Sequence, residues 1–72
     1  MNEDLFNIEL RKFLKRFGVT AQREIETAVA AAIQRGDILG TEVLQARATL
    51  TIPGVLSEVR IDGEIALSNR QG

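Results

Sequence analysis

The sequence has no cysteine, histidine, tryptophan or tyrosine, and it has one proline among 72 residues. Without cysteine there is no disulfide framework and no thiol nucleophile. Without histidine, the commonest general base and metal ligand is missing. Glycine-rich phosphate loops and EF-hand ligand spacing are absent as well. We therefore expect no catalytic residue, no metal site, no cofactor and no enzyme activity.

Long apolar runs and an excess of charge of one sign are also lacking. The longest apolar run extends from Ala28 to Ile33, whereas a membrane-spanning helix needs about 20 apolar residues. The first residues, Met1 to Asp4, do not resemble a targeting segment. Nine Lys and Arg against ten Asp and Glu give a net charge of -1, which provides no general attraction to nucleic acid or anionic lipid. We expect a cytoplasmic protein that binds neither membranes nor, in the leading interpretation, nucleic acid.

The composition itself is that of a small globular protein, with 44% hydrophobic and 26% charged residues. This predicts a single domain over residues 1–72. A chain of this size buries only about 60% of the surface that its unfolded form exposes, so its core is marginal. We expect a partner or self-association to contribute to its stability.

Apolar residues at helical spacing predict two helices. The first, over about residues 3–17, has Asn2 as its N-cap and ends at Gly18. The second, over about residues 21–35, has Thr20 as its N-cap and ends at Gly36. The apolar residues of the first helix are Phe6, Leu10, Phe13, Leu14 and Phe17, and those of the second are Ala21, Ile25, Ala28, Val29, Ala32 and Ile33.

Alternation of apolar and polar residues then predicts two strands, over about residues 43–52 and 58–67. A turn at Asp62-Gly63 would place apolar residues on both faces, so we predict one continuous strand through that dipeptide. The hairpin loop is instead expected over residues 53–56, which pairs Ile52 with Ser57 and Leu50 with Val59.

The predicted fold is α+β, with two N-terminal helices packed on one face of a C-terminal two-stranded antiparallel hairpin. A lone hairpin is marginally stable, and both of its edges present unpaired backbone groups. Pairing of strands across a two-fold axis would give a four-stranded sheet. We therefore predict a homodimer, and a function in self-association or in binding another, unidentified protein.

One local concentration of charge stands out, and we call it the basic ridge. Its members are neighbours at i,i+4 spacing on the first predicted helix: Arg11, Lys12, Lys15 and Arg16. A solvated helix face is the commoner explanation, but such a ridge could contact phosphates. The alternative function is thus a nucleic-acid-associated regulator with a winged helix-turn-helix outline. The acidic Glu24 and Glu26 on the second helix argue against it, because phosphates would repel them.

Several sequence blocks together resemble a known family. They are Met1 to Asp4 with Phe6-Asn7, Arg11 to Lys15, Gly18 to Thr20 with Gln22 to Glu26, Leu50 to Pro53 and Ile61 to Ile65. In this order they are similar to a family of short bacterial proteins, about 70 residues long, known only as a domain of unknown function. The resemblance implies a bacterial, cytoplasmic, single-domain protein, and it supplies no active site or cofactor.

Overall fold

A computed structural model describes residues 1–69 of the chain. Its elements are one helix, α1 (Glu3–Arg35), followed by two strands, β1 (Val43–Ile52) and β2 (Leu56–Ala66). The α+β class and the antiparallel hairpin are confirmed, whereas the prediction of two helices is wrong. Residues 70–72 of the predicted domain lie outside the described part. The chain forms two compact units, a helical unit of residues 1–37 and a hairpin unit from residue 38 onward.

The two ends of α1 are capped by the residues that the sequence predicted. At its start, the Asn2 side-chain oxygen accepts a hydrogen bond from the backbone N–H of Leu5 at 3.0 Å. At its end, Gly36 adopts a left-handed conformation with φ of 80°. The backbone N–H of Gly36 donates to Ile33, and that of Asp37 donates to Ala32, which is the pairing of a Schellman motif.

Gly18 does not end the helix, because it lies in the interior of α1 without a positive φ. The predicted boundaries at residues 17 and 21, and the N-cap role of Thr20, are therefore wrong. A glycine in a helix interior costs about 1 kcal/mol relative to alanine. Ending one helix and starting another would instead leave four carbonyl and four N–H groups without intrahelical partners. Continuing through Gly18 is the less costly solution.

The hairpin has the register that the apolar alternation predicted. Leu50 pairs with Val59, Ala48 with Ile61, and Ala46 with Gly63. Residues 62 and 63 lie inside β2, so the rejection of a turn at Asp62-Gly63 is confirmed. β1 has its predicted bounds, whereas β2 begins two residues earlier and ends one residue earlier than predicted.

The hairpin loop is shorter than predicted. Ile52 pairs with Leu56 rather than with Ser57, and the backbone N–H of Val55 donates to the Ile52 carbonyl at 3.0 Å. Proline at 53 followed by Gly54 with φ of 81° is typical of a type II turn. The strand pairing set by this turn is one residue out of step with the pairing of the apolar residues. A β-bulge, in which two residues of β2 lie opposite Thr51, accommodates the difference.

No side chain among residues 1–69 is buried. A single helix and a single two-stranded sheet are each one layer, and a stable domain is normally built from at least two packed layers. The hairpin nevertheless has an apolar and a polar face, and α1 has a continuous apolar band along one side, with Leu5, Ile8 and Val19 exposed on its other side. These apolar faces are the surfaces on which any function by binding depends.

Candidate interaction surfaces

The first surface is a band of apolar residues along the whole of α1, which we call the α1 stripe. Its spacings run 4, 4, 3, 4, 4, 3 and 4, an 11-residue repeat of 3.67 residues per turn, close to the 3.6 of an α-helix. The band therefore stays on one side of a nearly straight helix. Its members are Phe6, Leu10, Leu14, Phe17, Ala21, Ile25, Ala28 and Ala32.

Side-chain size changes along the α1 stripe. The N-terminal half carries four large side chains, each between 40% and 50% exposed. The C-terminal half carries three alanines and one large residue, Ile25, which is 40% exposed. The continuous helix places the two predicted stripes in phase, because the step from Phe17 to Ala21 is four residues. That spacing was the sequence signal for a single helix.

A shallow hollow lies at the middle of the α1 stripe. Its floor is apolar and includes Phe13, Phe17 and Ala21, and Arg16 and Thr20 complete its lining. The hollow marks the transition from large to small side chains.

The structure places the four residues of the basic ridge on successive turns of α1. Lys12 points most directly away from the α1 stripe, while Arg11 and Arg16 lie nearer its two margins. The Nζ atom of Lys12 lies 3.8 Å from a carboxylate oxygen of Glu9, and both side chains are largely exposed. Exposed pairs of this kind contribute little to stability. The role predicted for the basic ridge stays a prediction.

The second surface is the apolar face of the hairpin, where four residues of β1 alternate as half-buried positions. Large residues lie near its ends, with Leu44 opposite Ile65 and Leu50 opposite Val59. Between them lie Ala48 opposite Ile61 and the smallest pair of the face, Ala46 opposite Gly63. A Cβ atom added at Gly63 would meet no other atom within 4 Å. The face is therefore open at its centre.

The opposite face of the hairpin carries polar pairs between the strands. Arg47 Nε lies 2.9 Å from an oxygen of Asp62, and Gln45 donates to Glu64 at 3.2 Å. The second oxygen of Asp62 lies 3.7 Å from Arg60. The first two pairs join residues that lie directly opposite each other in the ladder, whereas Arg60 and Asp62 are two residues apart on β2, so only the first two bear on register. They favour the observed register over one shifted by a residue.

The strand edges are the third surface. The hydrogen-bond pattern of the ladder determines which backbone groups point outward from them. The N–H of Leu67 donates to the Glu42 carbonyl at 3.0 Å, so these opposite residues form a hydrogen-bonded pair. Because such pairs alternate along an antiparallel ladder, the next residues in each strand direct their N–H and C=O groups outward. Thr49 on β1 and Arg60 on β2 belong to this outward set.

The carboxylate of Glu42 closes the loop before β1, and no short sequence motif indicates this contact. Glu42 accepts backbone hydrogen bonds from Leu39 at 2.8 Å, Gly40 at 2.9 Å and Thr41 at 3.1 Å. The bonds from Leu39 and Gly40 are the main cause that holds the pKa of Glu42 below its ordinary value. This side chain therefore orders the hairpin's own loop.

Neither a metal-binding cluster nor a membrane-spanning helix is found among the described residues. Across residues 1–69, no three acidic side chains converge as ligands for a metal ion. α1, the one helix in that range, has too little apolar character to cross a membrane.

Comparison with known proteins gives a match to a family but no match to an individual protein. No curated protein and no solved structure matches the chain. A family of unknown function, DUF6494, matches residues 1–68, almost the whole sequence. The match confirms the resemblance to a short domain of unknown function, while a bacterial source stays a prediction. The chain belongs to the DUF6494 family.

Proposed function

We propose that this protein is a cytoplasmic, non-enzymatic module that acts by associating with a second copy of itself. One observation carries the proposal: α1 has a continuous apolar band and the hairpin has an apolar face, yet no side chain within residues 1–69 is buried. A continuous apolar band of this kind is typical of a surface that is buried against another one. A helix surrounded by water on all sides does not require its apolar residues to form such a band. A matching second copy is the simplest source of the missing layer.

The acidic side chains support binding rather than catalysis. Glu42 holds backbone N–H groups of its own loop, and Asp62 lies between two arginines on an open strand face. General acid–base chemistry is normally carried out by groups with perturbed pKa values in a cleft. These carboxylates are engaged in structural contacts on open surfaces instead.

The test is size-exclusion chromatography with light scattering across a hundredfold range of protein concentration. We expect a mass near twice 7.9 kDa at the upper end, with dissociation on dilution. A mass of 7.9 kDa throughout the range would contradict self-association. It would then favour a different protein as the partner.

Proline substitutions test the strand edges as the route of association. Thr49→Pro and Arg60→Pro each remove an outward N–H without removing a bond of the hairpin ladder. Thr49→Ala and Arg60→Ala are the matched controls, since they keep the N–H. Loss of the dimer with one proline but not with its alanine would place the interface at that edge.

A second candidate function is nucleic-acid binding by the basic ridge. The observation in its favour is that Lys12 and Lys15 lie away from the α1 stripe, so an association through the stripe leaves them exposed. The helix-turn-helix outline itself has lost its basis, because α1 is continuous. Lys12→Glu with Lys15→Glu should abolish salt-dependent binding to a labelled duplex, whereas Arg23→Glu outside the ridge should weaken it less. Absence of binding by the unaltered protein at 50 mM salt would end this candidate.

A further inference from the structure

We propose that the occupant of the α1 stripe is the α1 stripe of a second copy, with the two helices antiparallel and crossing near residue 19. The inference rests on the proposed self-association and specifies its surface and orientation. In this arrangement, each residue of one copy lies opposite the residue of the second copy for which the two residue numbers add up to 38. The pairing uses side chains alone, since α1 already satisfies its own interior backbone hydrogen bonds.

Length is the first argument for a helix as the occupant. From Phe6 to Ala32 the α1 stripe extends about 39 Å, at 1.5 Å per residue. The apolar face of the hairpin from Leu44 to Leu50 extends about 20 Å, at about 3.4 Å per residue. One hairpin face therefore covers about half of the stripe, whereas a second α1 covers all of it.

Side-chain volume selects the antiparallel orientation. Antiparallel pairing places Phe6 opposite Ala32, Leu10 opposite Ala28, and Phe17 opposite Ala21, a large residue against a small one in each layer. The remaining layer brings Leu14 next to Ile25. The three large-against-small layers suit a similar separation of the helix axes, within the usual 8–10 Å, and the Leu14–Ile25 layer is the bulkiest of the four. A parallel pair would set phenylalanine against phenylalanine at one end and alanine against alanine at the other, so the axes would splay.

Charge at the margins of the α1 stripe selects the same orientation. Antiparallel pairing brings Glu3 opposite Arg35 of the second copy, at both ends of the helix pair. It also places Glu24, at the stripe's margin, on the same flank as Arg16 of the second copy, whose long side chain extends toward Phe17 and Ala21. In a parallel pair Glu3, which lies close to the centre line of the stripe, would face Glu3 of the second copy, which places like charges together.

The basic ridge adds a longer-range contribution. An antiparallel pair offsets the two ridges by about 16 Å along the helix axis. That offset exceeds the Debye length of about 8 Å at physiological ionic strength, so their repulsion is largely screened. A parallel pair would place the eight cationic side chains at one level along the axis, on the outer sides of the two helices and without that axial offset.

Cysteine pairing tests the orientation cleanly, because the natural chain has no cysteine to interfere. Full-length Leu10→Cys and Ala28→Cys variants are mixed in equal amounts, equilibrated in a glutathione redox buffer, and resolved by non-reducing electrophoresis and mass spectrometry. We expect the mixed 10–28 disulfide to exceed both symmetric disulfides, because these positions face each other in the antiparallel pair. Lys12→Cys, on the far side of α1, is the control and should form little disulfide.

The outcomes separate this inference from the proposed function. Dominant 10–10 and 28–28 disulfides in a dimeric protein would overturn the antiparallel arrangement and retain self-association. A dimer that forms none of these disulfides above the Lys12→Cys control would place the interface elsewhere, again overturning only the inference. A chain that stays monomeric at every concentration would overturn both.

Charge reversal gives a second test that does not depend on cysteine at an apolar position. Glu24→Arg places arginine beside Arg16 twice per dimer, and we expect the dimer to weaken by about tenfold. Adding Arg16→Glu should restore the affinity. Glu26→Arg, a reversal on the outer side of α1, should change it by less than about twofold. Equal effects of Glu24→Arg and Glu26→Arg would contradict the antiparallel contact.

Discussion

The helical unit and the hairpin unit of this protein each consist of one layer, and the two units leave different groups exposed. In α1, capping by Asn2 and Gly36 satisfies backbone groups at both ends, so what remains exposed is an apolar stripe of side chains. In the hairpin, the polar face is paired across the strands, but two rows of outward backbone groups remain. The helix therefore needs a partner for its side chains, and the hairpin needs one for its edges as well.

This difference predicts different sensitivities in the two units. Substitutions along the α1 stripe should act on association, because the helix backbone is complete without a partner. Substitutions in the hairpin should act on the stability and register of the unit itself, since its strands depend on each other. A variant that reversed this division would show that the hairpin, rather than α1, carries the interface.

The largest effect is expected from a charge placed on the α1 stripe. Phe17→Asp would bury an unpaired carboxylate at the centre of the helix pair, and we expect dimer affinity to fall by at least about a hundredfold. The matched control is Val19→Asp, two residues away on the opposite side of α1 and 57% exposed. Sedimentation or light scattering measures both variants. A similar loss with Val19→Asp would show general helix disruption instead.

The next prediction compares the changes in stability that alanine should cause at two glycines of the helical unit. Gly18→Ala should stabilise α1 by about 1 kcal/mol, because alanine has the higher helix propensity and a Cβ there meets no atom within 4 Å. Gly36→Ala should destabilise it by about 1 kcal/mol, since a positive φ strains residues with a Cβ. Thermal unfolding followed by circular dichroism compares them. Destabilisation by both would contradict the continuous helix at Gly18.

The sequence predicted those features that local chemistry decides. The Asn2 cap, the Gly36 terminus and the strand register each depend on a few neighbouring residues, and the structure has all three. Gly18 was misassigned because its unfavourable propensity of about 1 kcal/mol is small beside the cost of uncapping two helix ends. The hairpin loop was one residue too long, because turn geometry and apolar register required different lengths, and a bulge resolved the conflict.

The basic ridge could be placed from i,i+4 spacing alone, and the structure keeps its four residues together on α1. A helix end at Gly18 divides the α1 stripe between two separate helices, so the sequence prediction did not contain it as one surface. The contact of Glu42 with its loop depends on three backbone groups whose directions the sequence does not encode in any short motif.

A smaller effect should follow from the polar face of the hairpin. Asp62→Ala removes contacts to Arg47 and Arg60, but the three side chains are more than half exposed. We expect a loss of about 0.5 kcal/mol in hairpin stability, within the usual range for exposed ion pairs. Amide exchange of β2 would report it, with Glu58→Ala as the control for removing one carboxylate. An unchanged exchange rate would show that apolar pairing alone sets the register.

The smallest effect concerns pH and the loop before β1. Because the folded pKa of Glu42 is lower than the ordinary value of 4.5, its ionised form stabilises the hairpin unit above that value. The contribution is lost as pH falls through the folded pKa. Amide chemical shifts of Leu39 and Gly40, followed by NMR from pH about 7 to about 2, should titrate with a midpoint below 4.5. Glu42→Gln should abolish this titration, whereas Glu58→Gln should leave it intact. A titration that survives Glu42→Gln would assign it to another carboxylate, and the loop would then be ordered by its backbone alone.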